Sequence, residues 1–298
     1  MSIVVEAEKL SKRYGAVKAV DEVSFTMESN KIYGLLGRNG AGKTTIMQLI
    51  TAQQSPSGGR LRVFGEDPFE NSRVLSQLCC IKESQRYPDS YRVTDVLEVA
   101  AALFPNWDSS YAKVLLEQFR IPLKRRMKKL SRGMLSSVGI VIGLASRAPL
   151  TIFDEPYLGL DPAARALFYD RLIEDYSEHP RTIVLSTHLI DEVSQILEHV
   201  LLIDNGRLIL DEETDALRGR ATAIAGAASS VEAFTLGRTV IHRDHFGGLA
   251  TAAVLGDLSA RERGEAKELG LELAPVSLQQ LVVHLTGGNS ERKAGEVR

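Results

Sequence analysis

The sequence contains the segment Gly37-Arg38-Asn39-Gly40-Ala41-Gly42-Lys43-Thr44, whose spacing fits the pattern G-x-x-x-x-G-K-[ST]. It follows an apolar strand pattern at Ile32–Leu36 and precedes a helix pattern at 44–52. Glycines in such a loop let backbone N–H groups converge on a triphosphate, and the start of the helix adds partial positive charge. Lys43 is predicted to neutralise the β- and γ-phosphate oxygens, and Thr44 to ligate Mg²⁺. A glycine-rich turn without a ligand is the alternative, but the strand–loop–helix context favours a nucleotide site.

A second apolar strand pattern ends in two carboxylates, at Leu150–Asp154 followed by Glu155. Carboxylates at the carboxyl edge of a parallel sheet can hold Mg²⁺ and polarise the water that attacks a phosphate. We therefore expect Asp154 in or next to the coordination shell of Mg²⁺ and Glu155 beside the attacking water. Taken alone, Glu155 would be an ordinary acid at a strand end, and the phosphate loop is what favours the catalytic interpretation.

The composition is that of a globular protein, with 298 residues and room for one large domain or two ordinary ones of about 150 residues. Hydrophobic residues make up 44% and charged residues 25%, which excludes disorder for the bulk of the chain. The net charge of −2 gives no general attraction for nucleic acid, so no nucleic-acid partner is expected. No stretch suits a membrane span, and the start MSIVVEAEKL lacks a signal-peptide pattern, which predicts a cytoplasmic chain. The adjacent Cys79 and Cys80 are interpreted as core residues rather than disulfide or zinc ligands.

Strand and helix patterns alternate through the first two thirds of the chain, which is typical of an α/β domain with a largely parallel sheet. Between about 94 and 146 the strand patterns stop, and three helices are predicted to begin at Thr94, Asp108 and Ser131. A long helix is predicted to begin at Asp161-Pro162.

The pattern changes after residue 220 to short alanine- and glycine-rich segments. Their order predicts a small βαββαβ-like α+β module at 221–286. The polar stretch 287–298 is predicted to be a disordered tail.

Four further motifs occur in a definite order around the two phosphate-site segments. They are Lys12-Arg13-Tyr14-Gly15, Leu130-Ser131-Arg132-Gly133-Met134, Gly159-Leu160-Asp161 and Ser186-Thr187-His188. With the phosphate loop and the paired carboxylates, they resemble the ATP-binding cassette (ABC) ATPases over about residues 3–217. They match, in order, the aromatic residue that stacks on adenine, the signature usually written LSGGQ, the D-loop and the switch histidine.

The resemblance implies an α/β fold, a phosphate-loop NTPase of the ABC type with an antiparallel β subdomain and an all-helical insertion. The ATPase domain would cover 1–220, and the cofactors would be ATP and Mg²⁺. The implied catalytic residues are Lys43, Glu155 and His188, the last contacting the γ-phosphate. The implied nucleotide-binding residues are Tyr14, Gly37, Arg38, Asn39, Gly40, Ala41, Gly42, Lys43, Thr44 and Thr45.

The resemblance also implies a head-to-tail pair of cassettes around two ATP molecules, each ATP lying between one chain's phosphate loop and the other chain's signature. The residues implied to act on the partner's nucleotide are Ser131, Arg132, Gly133, Met134 and Asp161. A serine at a helix start and a small glycine suit an anion site. The signature departs from the family pattern, because Arg132 replaces a glycine and Met134 replaces the glutamine.

The residue that corresponds to the family's Q-loop glutamine is open between Glu83 and Gln85. Counting back from Val93-Thr94 gives Glu83, and a loop one residue longer would give Gln85. Because a glutamate ligates Mg²⁺ as well as an amide oxygen does, Glu83 is assigned as a metal ligand with Thr44 and Asp154.

The chain resembles the single-cassette ATPases of bacterial export-type transporters. This implies an ATPase subunit that drives an integral membrane permease on a separate chain, pairs with itself or a homologous ATPase, and lies peripherally on the inner face of the cell membrane. The alternative is a soluble ABC ATPase of ribosomes or DNA. Such proteins usually have a long coiled coil before the signature or two cassettes in one chain, and neither is visible here.

Two features remain open at the level of sequence. The basic cluster Lys124-Arg125-Arg126 with Lys128-Lys129 is either a solvated helix edge or a contact for anionic lipid or an acidic partner loop. The module at 221–286 is either regulatory or an appendage that stabilises a dimer.

Overall fold

The computed structural model describes residues 2–83 and 85–294, and for 287–294 it describes the backbone alone. The chain divides into two compact units. The first consists of Met1–His188 and Ile196–Asp211, and the second of Leu189–Gln195 and Glu212–Arg298. The predicted boundary at 220/221 therefore lies inside the second unit.

Strands and helices alternate along the first unit. Its strands are β1 (Ile3–Tyr14), β2 (Val17–Glu28), β3 (Ile32–Leu36), β4 (Gly58–Val63), β5 (Leu78–Lys82), β6 (Leu150–Asp154), β7 (Thr182–Ser186), β8 (His199–Asp204) and β9 (Arg207–Glu213), the last two residues of which belong to the second unit. Its helices are α1 (Lys43–Ile50), α2 (Ser72–Leu75), α3 (Val93–Leu103), α4 (Ser109–Gln118), α5 (Arg132–Ala145) and α6 (Pro162–Glu178). A short 3₁₀ turn covers Met127–Lys129.

A six-stranded sheet with the order β5-β6-β7-β3-β8-β9 forms the centre of this unit. The pairs from β5 to β8 are parallel. Every residue of β3, β6 and β7 is buried, which is why these strands read as continuous apolar runs in the sequence. In the register, Ser186 pairs with both Leu35 and Asp154. The carboxyl ends of β3, β6 and β7 therefore lie side by side at one edge of the sheet.

A three-stranded antiparallel sheet, β2-β1-β4, accompanies the central sheet. One hydrophobic cluster includes Leu10 and Met27 from this sheet, Ile46 from α1, and Ile152 and Leu201 from the central sheet. Because close-packed interiors tolerate little displacement, this shared core fixes α1, and the loop before it, against the central sheet.

Helices α3, α4 and α5 form the insertion predicted at about 94–146. Two of the predicted helix starts are confirmed: the side chain of Asp108 accepts a hydrogen bond from Tyr111 N (2.8 Å), and that of Ser131 accepts one from Met134 N (3.2 Å). The cap predicted at Thr94 is wrong by two residues, because Arg92 is the N-cap of the first helix. Helix α3 begins at Val93, because the Asp95 carboxylate accepts a hydrogen bond from the backbone N–H of Arg92 (2.8 Å) and so closes the turn earlier.

The second unit has the βαββαβ order predicted for the module, with additional short helices before it and a helix after it. Its elements are α7 (Ile190–Val193), α8 (Thr214–Leu217), β10 (Ala221–Ala227), α9 (Ala228–Thr235), β11 (Val240–Phe246), β12 (Leu249–Leu255), α10 (Ala260–Glu268), β13 (Glu272–Pro275) and α11 (Leu278–Ala294). The strands form an antiparallel sheet, β11-β12-β10-β13, over a core that includes Ile224, Phe234 and Val254.

The predicted disordered tail, 287–298, is described only in part. The backbone of 287–294 continues α11 as helix, and 295–298 lie outside the described residues. Across the part of the chain that the structure describes, no helix combines the length and apolar character needed to cross a membrane.

Candidate nucleotide site

The phosphate loop lies between the end of β3 and the start of α1, as predicted. A Cβ atom at Gly37 would come within 2.1 Å of the carbonyl oxygen of Ile203, and the φ angle of this residue is +146°. Only glycine fits there, because any side chain would push the loop away from β8. The turn continues with a hydrogen bond from Ala41 N to Arg38 O (3.1 Å).

Lys43 begins α1 and points back into the loop that precedes it. Its ammonium group donates hydrogen bonds to the carbonyl oxygens of Gly37 (2.7 Å) and Arg38 (3.3 Å). The side chain is buried, and burial lowers the pKa of Lys43. The negative charges of Glu155 and Asp154 act in the opposite direction, but burial has the larger effect. A cation held in this way is already desolvated, so it can transfer its hydrogen bonds to a phosphate with little reorganisation.

Thr44 and Asp154 meet across the loop and the end of β6. The Thr44 hydroxyl donates to a carboxylate oxygen of Asp154 over 3.4 Å. Burial raises the pKa of the Asp154 carboxyl, as expected for an acid that lies among apolar strands. A hydroxyl and a carboxylate are the hard oxygen ligands that Mg²⁺ accepts alongside phosphate oxygens and water, so these residues fit that ion.

Glu155 and His188 come together although they follow different strands. Glu155 adopts a positive φ angle of 50°, and its backbone N–H donates to Ser186 O (3.0 Å) at the end of β7. Its carboxylate lies 2.8 Å from Nδ1 of His188. The geometry places the predicted water-orienting acid and the predicted γ-phosphate contact next to each other.

These groups line one cavity of about 470 Å³. Its wall includes the phosphate loop from Asn39 to Thr45 together with Glu83, Asp154, Glu155 and His188. Glu83, rather than Gln85, therefore borders the candidate site. Gln85 lines a second cavity of about 300 Å³ beside Arg132 and Pro156.

Tyr14 does not border the cavity. It ends β1 with an exposed ring, and the ammonium group of Lys12 lies 5.2 Å from the ring centroid. An exposed aromatic face is available to a base, and the predicted stacking on adenine stays a prediction.

None of the signature residues lines the cavity, although Arg132 contacts Glu83 at its rim. Ser131 caps α5, and a Cβ atom at Gly133 would come within 2.4 Å of the carbonyl oxygen of Gly159. The close approach that Gly133 permits is therefore to the D-loop of its own chain. The guanidinium group of Arg132 pairs with the carboxylate of Glu83, and the Met134 sulfur accepts from Arg125 Nη1 over 3.8 Å.

Asp161 caps α6 through a hydrogen bond from Ala164 N to its carboxylate (2.8 Å), as its position before Pro162 predicted.

Sequence reasoning missed Tyr157, whose hydroxyl contacts both Glu155 and His188. It also missed Ala19 and Leu158, which line the cavity. No spacing pattern marks these residues, because Tyr157 and Leu158 reach their neighbours through the turn after β6 and Ala19 reaches the cavity from β2.

Comparison with known proteins identifies relatives of this chain. The sequence pattern of the ABC transporter family matches residues 20–158. The bacitracin transport ATP-binding protein BcrA of Bacillus licheniformis is 32% identical over 224 residues, which is 74% of this chain and 73% of that protein. The Nod factor export ATP-binding protein I of Ralstonia nicotianae is 31% identical over 212 residues, 69% of this chain and 66% of that protein.

A solved structure described as the ATP-binding subunit of an ABC transporter is 27% identical, with a TM-score of 0.66. The similarity covers 72% of this chain and 91% of that one. The predicted fold class and the predicted ATPase activity are thereby confirmed. The chain belongs to the ATP-binding subunits of ABC transporters.

Proposed function

We propose that this chain hydrolyses ATP by in-line attack of water, with its own residues supplying one half of each site. The observation that carries the proposal is the convergence of Lys43, Asp154, Glu155 and His188 on one cavity. Glu155 orients the attacking water, Lys43 stabilises the charge that develops on the phosphate oxygens, and His188 contacts the γ-phosphate.

Thr44, Asp154 and Glu83 are the residues that would hold Mg²⁺. When bound, the ion supplies positive charge that neutralises the phosphate oxygens. Thr44 and Asp154 already lie in contact, while Glu83 is paired with Arg132 in this structure. Arg132 contacts one oxygen of Glu83, which leaves the other carboxylate oxygen for the ion.

The other half of each site comes from a second copy of the chain, in a head-to-tail dimer. The support is geometric, because Ser131 caps a helix start and does not line the cavity of its own chain. In the dimer, Ser131 of the partner subunit completes the anion site. The module at 221–286 is proposed as an appendage that stabilises this pairing.

The chain is further proposed to drive a separate membrane permease, in the direction of export, and to lie at the inner face of the membrane through that partner. The relative named for bacitracin transport supports a role in transport, and the relative named for Nod factor export supports the direction. Purification of the tagged chain from host membranes in mild detergent tests it. An integral membrane protein in stoichiometric amount is expected, and recovery of ribosomes or DNA without one would contradict it.

The chemical proposal is tested with Glu155→Gln, which keeps the shape of the side chain and removes its charge. We expect the variant to bind ATP, to turn it over at about 1% of the wild-type rate or less, and to accumulate as a dimer. Phosphate release, nucleotide binding and light scattering measure the three effects. Glu98→Gln, an exposed acid on α3, is the matched control and should behave as wild type. A fully active Glu155→Gln protein would remove Glu155 from the mechanism.

A further inference from the structure

Tyr157 lies two residues after Glu155, and its hydroxyl is the meeting point of four groups. It contacts the carboxylate of Glu155 and lies 3.1 Å from Nδ1 of His188. Thr187 Oγ1 donates to it over 2.9 Å, and the backbone N–H of His188 donates over 3.1 Å. The side chain is 3% exposed.

A count of hydrogen-bond donors and acceptors fixes what this hydroxyl does. A tyrosine hydroxyl has one hydrogen to donate and two lone pairs to accept. Thr187 and the backbone N–H of His188 occupy the two lone pairs, so the hydrogen is left for Glu155 or for His188 Nδ1. Hydrogen bonds to carboxylates are the stronger ones, so the hydrogen points to Glu155. Nδ1 of His188, 2.8 Å from the same carboxylate, can then donate to it as well.

The environment keeps Tyr157 in its protonated form. Burial, followed by the hydrogen bond to Glu155, raises the pKa of Tyr157 far above its ordinary value. The group therefore keeps its O–H at every pH at which the protein functions, and it remains a donor to the carboxylate.

The turn after β6 explains how a residue so near Glu155 reaches His188. Leu158 N donates to Glu155 O (3.3 Å), and Leu160 N donates to Tyr157 O (3.0 Å). This compact turn brings the tyrosine side chain into contact with Thr187 and His188. There the ring packs edge to face on the imidazole of His188, with the two centroids 5.6 Å apart.

We propose that Tyr157 is a positioning residue for ATP hydrolysis, which holds the Glu155 carboxylate and the His188 imidazole in one fixed geometry. The inference rests on the roles proposed above for Glu155 and His188. Tyr157 itself does not border the cavity, so it acts through these two residues. A carboxylate held by two donors loses freedom to rotate, and the attacking water meets it in one orientation.

Tyr157→Phe tests the proposal, because it removes the hydroxyl and keeps the ring that packs on His188. We expect kcat to fall about 10-fold, with KM for ATP within about twofold of wild type, since the phosphate loop is untouched. The measurement is steady-state phosphate release by the purified full chain, together with ATP affinity. A merely structural role would not separate kcat from KM in this way.

Tyr33→Phe is the matched control. Tyr33 is buried to the same degree, and its hydroxyl accepts a hydrogen bond from Glu28 N over 2.6 Å, away from the cavity. Both variants lose one buried hydroxyl and should lower the melting temperature by similar amounts, but only Tyr157→Phe should lower kcat. A kcat in Tyr157→Phe that equals or exceeds that of the control would overturn the proposal.

Glu155→Gln, assayed in parallel, distinguishes a failure of the positioning role of Tyr157 from a failure of the catalytic role of Glu155. If Glu155→Gln is inactive and Tyr157→Phe is as active as the control, the positioning role fails and the proposed function stands. If Glu155→Gln is fully active, the role of Glu155 fails, and the role of Tyr157 fails with it.

Discussion

The phosphate-loop cavity and the signature segment of the same chain differ in how complete they are. The cavity already gathers a cation, a pair of acids and the switch histidine, with Lys43, Asp154 and Glu155 in contact with their neighbours. The signature segment, defined as Leu130 to Met134, presents an exposed Ser131 and contributes no residue to that cavity.

The difference follows from topology. Parallel strands bring their carboxyl ends to one edge, so residues that follow β3, β6 and β7 must meet there. The signature instead begins a helix of the insertion, which has no such edge. A single substitution tests a residue that acts within its own chain. A residue that acts on the nucleotide of another copy is tested by mixing two variants.

The largest expected effect comes from substituting, in separate variants, one residue of the phosphate loop and one residue of the signature segment. Lys43→Ala removes the buried cation. Ser131→Asp keeps a capping side chain and places a negative charge where the partner's phosphates would lie. Each variant alone is expected to lose at least about 100-fold in ATP turnover.

An equimolar mixture of these two variants should regain activity. Random pairing makes about half of the dimers mixed, and each mixed dimer has one intact site of two, so up to about a quarter of the wild-type rate is expected. Phosphate release before and after mixing measures the recovery, and mixing each variant with itself is the control. A mixture no faster than its components would show that Lys43 and Ser131 do not complete a site across two chains.

A smaller effect is expected at Gly133, which can allow close approach either of Gly159 in its own chain or of the partner's nucleotide. Gly133→Ala adds a Cβ within 2.4 Å of Gly159 O, so it should destabilise the protein by about 1–3 kcal/mol even without nucleotide. Gly264→Ala, on α10 with nothing within 4 Å of the added Cβ, is the control and should be neutral or stabilising by up to about 1 kcal/mol. Thermal unfolding followed by circular dichroism compares them. If Gly133→Ala unfolds like wild type, the glycine serves the partner's nucleotide alone.

Much of this site could be predicted from the sequence, because its parts are local. The phosphate loop follows from glycine and lysine spacing, and the caps Asp108, Ser131 and Asp161 follow from the side-chain chemistry of helix starts. The convergence at one edge followed from the alternation of strands and helices, which predicts parallel pairing.

The remainder could not be predicted, because it depends on tertiary contacts or on weak patterns. Tyr157 reaches His188 only through the turn after β6, and no spacing in the sequence encodes that contact. The bounds of α9 could not be predicted, because its alanine- and serine-rich sequence has weak helical periodicity. The pairing of Glu83 with Arg132 joins two departures from the family pattern that are remote in sequence.

The smallest expected effect concerns that pairing, which links the rim of the cavity to the signature segment. The side chains of Arg132 and Glu83 are 65% and 42% exposed, so solvent screens their attraction. A double-mutant cycle with Arg132→Gln and Glu83→Gln should give a coupling below about 1 kcal/mol that disappears in high salt.

The buried pair of Arg181 and Asp175 is the contrast for this cycle. Its atoms lie 2.7 Å apart, and the side chains are 4% and 1% exposed. Removing Asp175 should cost about 3–5 kcal/mol, because the charge of Arg181 then stays buried without a carboxylate beside it. Removing Arg181 should cost less, because Asp175 keeps Arg147 Nη2 at 3.3 Å. Weak coupling at Glu83 would leave this carboxylate free to turn to Mg²⁺ when nucleotide arrives. A coupling of about 3 kcal/mol or more would mean instead that Arg132 holds Glu83 away from the metal, and Glu83 would then lose its place among the ligands.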